Sequence, residues 1–250
     1  MTQMSDRSEP GDLLTNYDVD ENGVALLQLD RPDSRNAINT AMLEELLGHV
    51  ASAREDDAVR VLVVSSTDHM GLSAGADVRE DLDRDGAIRR MQLFADLYDD
   101  LVGFPKPTIA ACHGATVGGG AEIAVACDIH VGGSNLRLRF PGAGLGVPVG
   151  PARLVTLCGL SVAKYLLLTS KEVAADEAHR WGLVAKVVSA PRTEEAAVQL
   201  AGQIAAHPPE SVARIKEMLH GWDDIVGRSK SEGEGQVAWQ SQGKGLGYRD

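Results

Sequence analysis

The sequence predicts an α/β fold with a helical C-terminal portion. Short β-branched apolar runs, amphipathic stretches at helical spacing, and the alternation of the two along the chain carry that expectation. Residues 1–18 are polar and are expected to form a flexible N-terminus. Gly23-Val-Ala-Leu-Leu-Gln-Leu-Asp30 reads as a strand. Residues 39–54 read as a helix, with Met42, Leu43, Leu46, Leu47 and Val50 on one stripe and Asn39 as N-cap. Val59-Arg-Val-Leu-Val-Val64 has the character of a buried parallel strand. A loop over 67–77 leads to a helix near 85–102, ended by Pro105-Lys106-Pro107. Thr108-Ile-Ala-Ala-Cys112 is a third buried strand, and Gly118-Gly-Gly120 opens a short apolar helix through Cys127. A strand around 129–131 and a Gly/Pro-rich loop over 141–151 follow. The expected helices beyond are 151–158, 161–168 and 174–181, the last with Gly182 at its C-terminal cap. A short strand at 183–188 precedes amphipathic helices over 193–220, split at Pro208-Pro209. From residue 228 the composition turns to Gly, Ser and Gln, and structural signals are weak.

The chain has 250 residues, 44% hydrophobic and 24% charged. That is enough for one large domain or two small ones with a substantial core, and it argues against a mainly disordered chain. No apolar run approaches the ~18 residues of a bilayer span. Met1 to Asp12 holds no apolar segment of the secretory kind, so a cytoplasmic, non-membrane protein is expected. Cys112, Cys127 and Cys158 show no CxxC pairing, so neither a disulfide framework nor a metal site is expected. With 24 Lys and Arg against 36 Asp and Glu, the formal net charge is −12. Nucleic acid is a poor partner for such a chain, and any anionic ligand must be met by local Arg or Lys or by helix N-termini.

Two loops carry candidate chemistry. Leu72-Ser-Ala-Gly-Ala-Asp77 is built of small residues that allow close backbone approach and leave N–H groups free. Taken alone, it reads as a tight turn. Gly118-Gly-Gly-Ala-Glu122 follows a buried strand and exposes unpaired N–H donors at the positive end of a helix. Taken alone, its glycines serve close packing and Glu122 complements the helix dipole. A nucleotide-binding loop is a weak alternative, because no GxGxxG or Walker pattern is present.

The two loops and their flanks together resemble the crotonase superfamily, the enoyl-CoA hydratase/isomerase family. Asp30-Arg-Pro-Asp-Ser-Arg-Asn-Ala-Ile38 is similar to its N-R-P-x-x-x-N-A-L, and Ser73-Ala-Gly-Ala-Asp77 to its S-A-G-A-D. Lys106-Pro-Thr-Ile-Ala-Ala-Cys-His-Gly114 resembles K-P-V-I-A-A-V-N-G. Gly118-Gly-Gly-Ala-Glu-Ile-Ala-Val-Ala-Cys-Asp128 resembles G-G-G-x-E-L-A-x-x-C-D. Ala174-Ala-Asp-Glu-Ala178 through Trp181-Gly-Leu-Val184 resembles A-x-E-A-x-x-x-G-L-V. The motifs occur in the family's order and span about residues 20–190.

The resemblance implies a crotonase-like spiral of β-β-α repeats, with an acyl-CoA-binding core over 19–192. It implies a C-terminal helical trimerisation region and tail over 193–250, and a homotrimer or a dimer of trimers. The substrate would be an acyl-CoA thioester, with coenzyme A arriving as part of it and no separate cofactor. The N–H groups of Ala76 and Gly119 would hold the thioester oxygen and stabilise an enolate, each donor worth about 3–4 kcal/mol by analogy with measured oxyanion holes. Ala74, Asp77 and Val78 would line the coenzyme path. Arg31, Arg35 and Arg79 are candidates for its phosphates, against the alternative of solvated surface charges.

The chain also departs from the pattern. Family hydratases use two glutamates; Glu122 matches the first, and Gly142 stands where the second belongs, after Leu138-Arg-Phe-Pro141. The next loop, over 145–154, is shorter than its family counterpart. Hydration shared between two carboxylates would lose one, unless Asp77, Glu80, Asp81 or Asp83 replaces it. His113 stands in for a family Asn and is read as structural. The tail over 236–250 is short and Gly-rich, so a more open pocket is expected, with Trp239 and Tyr248 as surface or packing residues. The expected activity is that of an enoyl-CoA hydratase/isomerase with Glu122 as acid and base. The alternatives are a thioester hydrolase, lyase or decarboxylase using the same enolate, or a non-catalytic acyl-CoA-binding protein.

Overall fold

Strands covered on both faces read as continuous apolar runs, and two such strands form the centre of the protein. A computed structural model describes residues 13–248. In it β3 (Val61–Ser66) and β4 (Thr108–Cys112) are buried at every position. They sit mid-sheet in the order β1 (Thr15–Val19), β2 (Val24–Leu29), β3, β4, β6 (Ile129–Gly133), β9 (Lys186–Val188). Only β1–β2 is antiparallel; the other neighbours are parallel. Alternate residues of β3 serve two cores. Leu62 and Val64 join the larger core, beneath α1 (Thr40–Glu55) and α2 (Arg84–Val102). Val61 and Val63 face Ala197 and Ala201 of α7 (Thr193–Ala205).

A second, three-stranded sheet holds β5 (Ala115–Val117), β7 (Arg137–Arg139) and β8 (Val173–Ala174). Between β5 and β7 runs α3 (Gly119–Ala126). The short α4 (Gly142–Leu145), α5 (Pro151–Thr169), α6 (Ala175–Arg180), α8 (Pro209–Asp223) and α9 (Ile225–Ser241) complete the described chain.

Several differences from the sequence reading have local causes. β1 begins inside the segment expected to be flexible through residue 18. Its face is fixed by Thr15 Oγ1 donating to Glu45 at 2.8 Å and by Tyr17 stacking on His49 at 5.1 Å. Residues 1–12 of that segment lie outside the described residues. By length and apolar content α5 meets the requirement for a membrane crossing, where no such run was expected. Gly159 at φ 75° kinks it into the two helices read from the sequence. α9 forms where signals were weak, because its buried stripe is polar: Ser229, Gly233, Gln236 and Gln240. Gly233 lets it approach α2, since a Cβ there would stand 3.1 Å from the Ala95 methyl. The tail therefore covers the region expected to be open, with Gln236 and Leu246 as cavity wall.

Candidate active site

Backbone register brings the two small-residue loops together. Ser73 bridges Thr116 in parallel: Ser73 N–H donates to Ala115 O at 3.1 Å, and Val117 N–H to Ser73 O at 3.0 Å. Three residues onward from each partner lie Ala76 and Gly119, so the register sets them side by side. A Cβ on Gly119 would stand 3.5 Å from Ala76 N. Gly75 makes the turn possible at φ +95°, with Val117 O only 2.8 Å from where a side chain would begin. Neither the Ala76 nor the Gly119 N–H makes a hydrogen bond among the described residues. Both residues line a cavity of about 380 Å³. A pair of unpaired, convergent N–H groups on such a cavity is suited to an oxygen bearing negative charge.

Glu122 lies one helical turn past Gly119, lines the same cavity and is 1% exposed. Its Oε2 accepts from Arg153 Nη2 at 2.9 Å, and Arg153 is itself 2% exposed. The same guanidinium nitrogen donates to Glu232 Oε1 at 2.6 Å. Glu232, on α9, also accepts the Gly150 and Ala152 N–H groups at 2.9 and 2.7 Å. The Arg153 guanidinium carbon lies 4.9 Å from the Tyr98 ring centroid. Burial pushes the Glu122 carboxyl up to about 7; Arg153 pulls it down and the charge of Glu232 adds to the rise. Burial opposes the Arg153 charge, yet its two carboxylate partners hold its pKa above the ordinary value.

Gly142 lines the same cavity. A Cβ there would stand 2.4 Å from Val147 O, because Val147 N–H closes back on Gly142 O at 2.8 Å. The shortened loop thus fills the space a longer side chain would need.

Ala74 and Val78 line the cavity. Asp77 is buried and bound by Arg31 Nη1 at 2.6 Å. Burial works against its carboxylate, but hydrogen bonds from Arg31 and the Arg79 N–H hold it below the usual range. Arg31 also donates to Ala37 O, so that its guanidinium serves the loop. Arg79 is exposed and, with Tyr248, borders a neighbouring polar hollow. Arg35 is exposed at φ 53°, and its carbonyl accepts from Ala74 N–H at 3.0 Å. Of the substitute carboxylates, Glu80 is held by Arg90 and Thr40 N–H, and Asp83 caps α2. Asp81 is exposed, and none of these lines the cavity. His113 is buried, its Nε2 2.9 Å from Asp68 O.

A family model described as enoyl-CoA hydratase/isomerase matches residues 19–238. The chain belongs to this family. It is 35% identical over 206 residues to a 2,3-dehydroadipyl-CoA hydratase of Escherichia coli, covering 81% of this chain and 80% of that protein. It is 32% identical to a short-chain-enoyl-CoA hydratase of Clostridium acetobutylicum, covering 83% and 82%. The crystal structure of an enoyl-CoA hydratase from Bacillus anthracis superposes with a TM-score of 0.81 at 26% identity, covering 92% of this chain and 91% of that one.

Within this family member, sequence reasoning missed Arg153 and Glu232 at the site. The Arg153-Leu154 pair was visible only as the end of a shortened motif. Glu232 sits between Ser229 and Gly233 of the buried stripe, and the regular 229, 233, 236, 240 spacing of small and polar residues was the available signal.

Proposed function

We propose that this protein adds water across the double bond of a 2-enoyl-CoA thioester, with Glu122 as its single acid–base carboxylate. The observation that carries this reading is the convergence of two unpaired N–H groups and one buried carboxylate on one cavity. The thioester oxygen binds the Ala76 and Gly119 N–H groups, while C2 and C3 lie toward Glu122. A water on the carboxylate gives up a proton to it as the water oxygen bonds C3. The π pair moves toward C2 and the thioester oxygen, forming an enolate held by the two N–H groups. The same proton then passes from Glu122 to C2, which restores the carboxylate and completes a 3-hydroxyacyl thioester. One group can do both tasks because a carboxyl near 7 is neither too weak a base nor too weak an acid at neutral pH. Met91, Phe94, Val147 and Leu246 in the wall suit a short apolar acyl chain.

Ala74 and Val78 border the coenzyme path, and Arg79 at the adjoining hollow is the candidate among the three arginines for its phosphates. Coenzyme A enters as part of the substrate, and no separate cofactor is required. We place the protein in the cytoplasm as a homotrimer or dimer of trimers. A second reading, different enolate chemistry or acyl-CoA binding without turnover, is favoured by the backbone closure at Gly142. Loss of the enoyl-thioester absorbance of crotonyl-CoA, followed for the wild type beside Glu122→Gln, tests the proposal. Turnover that disappears in the variant supports it. Acyl-CoA binding without turnover in the wild type moves the protein to the second reading.

A further inference from the structure

Glu122 and Glu232 share one guanidinium, and they share it unequally. Glu232 offers its two oxygens to three N–H donors, from Gly150, Ala152 and Arg153. That is the arrangement of an ionised carboxylate, which accepts and never donates. Glu122 receives a single hydrogen bond, on Oε2, and its Oε1 has no partner among the described residues. Oε1 instead lies against the Gly150 backbone, 2.7 Å from where a Cβ would stand. One positive charge therefore faces two carboxylates, and Glu232, the one with more hydrogen-bond donors, takes it.

We propose that Glu232, acting through Arg153, is a positioning residue that takes up the guanidinium charge, so that Glu122 remains free to accept and release the proton of the reaction. This rests on the hydratase reading above and adds to it a residue from the far end of the chain. Glu232 replaces nothing at the position of Gly142, and it does not line the cavity. It fills the structural gap differently. Without it, Arg153 would pair with Glu122 alone and pull its carboxyl down, leaving a weaker base.

Titratable groups facing the cluster from packed elements are Tyr98 and Asp99 on α2. Burial holds the Tyr98 hydroxyl well above its usual pKa, so it is neutral at working pH. Asp99 accepts from Ser229, whose oxygen accepts from Arg153 Nη1 at 3.2 Å, and burial raises its carboxyl. Glu122 comes from α3, Arg153 from α5 and Glu232 from α9.

The test compares the pH profile of kcat/KM with crotonyl-CoA for the wild type, Glu232→Gln and Glu232→Asp. Removal of the Glu232 charge is expected to move the acid limb to lower pH by at least about one unit and to lower the plateau, with Asp returning part of both. A merely structural role changes expression and melting temperature without moving that limb. An acid limb that stays in place in a folded, active Glu232→Gln protein overturns the inference while leaving the hydratase reading intact. A second measurement is independent of turnover and of that variant's folding. In wild-type protein labelled with ¹³C at the glutamate carboxyls, one NMR signal is expected to titrate near neutrality and to vanish in Glu122→Gln. If the neutral-range signal survives Glu122→Gln, the proton belongs to another carboxyl and the inference fails, whatever reaction the enzyme performs.

Discussion

The two ends of α3 carry the same kind of chemistry with opposite outcomes. At its start, Glu122 and Glu232 surround one cation, Arg153, at 2.9 and 2.6 Å. Just past its end, Asp128 is one carboxylate beside two basic groups, Lys216 at 2.7 Å and His220 at 3.2 Å. Asp128 also accepts the Thr108 N–H at 2.8 Å. Burial works against both carboxyls, yet hydrogen bonds from His220, Lys216 and Thr108 hold Asp128 below the usual range, while Glu122 is raised to about 7. Local charge balance separates a clamp held below the usual carboxylate range from a carboxyl raised toward neutrality. The difference teaches that burial raises a carboxyl only where its partners do not outweigh it: two basic groups and a backbone N–H overcome burial at Asp128, while one shared guanidinium does not at Glu122.

The largest expected effect is on turnover. Glu122→Gln is expected to lower kcat by about 10²–10⁴-fold, the usual worth of a general acid–base group, measured with crotonyl-CoA at neutral pH. The same change at the other end should act on folding: Asp128→Asn leaves Lys216 nearly buried without its anion and is expected to cost about 3–5 kcal/mol in denaturant melts. A small stability change in Asp128→Asn would break the comparison at its structural end.

A third change tests the space between them. Gly142→Glu is expected to destabilise by about 1–3 kcal/mol without raising hydration, because Val147 O occupies the space where the side chain would start. A gain in activity there would show that the loop reopens to admit a second carboxylate.

The smallest effect is a slope. Glu122 binds its proton more tightly folded than unfolded, so between about pH 4.5 and 7 the native state holds more protons and stability falls as pH rises. Below that window Glu122 is neutral in both states and resembles Gln. The melting temperature of Glu122→Gln relative to wild type is therefore expected to climb from pH 5 to pH 8. Asp128 has the reverse sign: its contribution is present above the unfolded carboxyl range and is lost as pH falls through its lowered folded value.

What could be read from the sequence follows the range of the interaction. Ala76, Gly119, Glu122 and Gly142 line the cavity, and each was picked out through the resemblance of its short contiguous motif to the family's, a signal local in sequence. The kink of α5 at Gly159 was legible for the same reason. Arg31 looked like a ligand for phosphate because its anion, Asp77, lies 46 residues away. Glu232 was hidden for two reasons: its cation is 79 residues away, and α9 buries Ser, Gly and Gln where apolar periodicity is sought. β1 was missed because its half-exposed pattern belongs to a sheet edge and depends on Glu45 and His49 from α1.

The central claim is that one buried carboxyl, tuned by Arg153 and Glu232, serves as both base and acid. The most direct measurement is kcat/KM for crotonyl-CoA hydration from pH 5 to pH 9. The account predicts an acid limb centred near pH 7, from the group whose carboxyl burial raises to about 7. A limb in the ordinary carboxylate range near pH 4–5, or a flat profile, would contradict it.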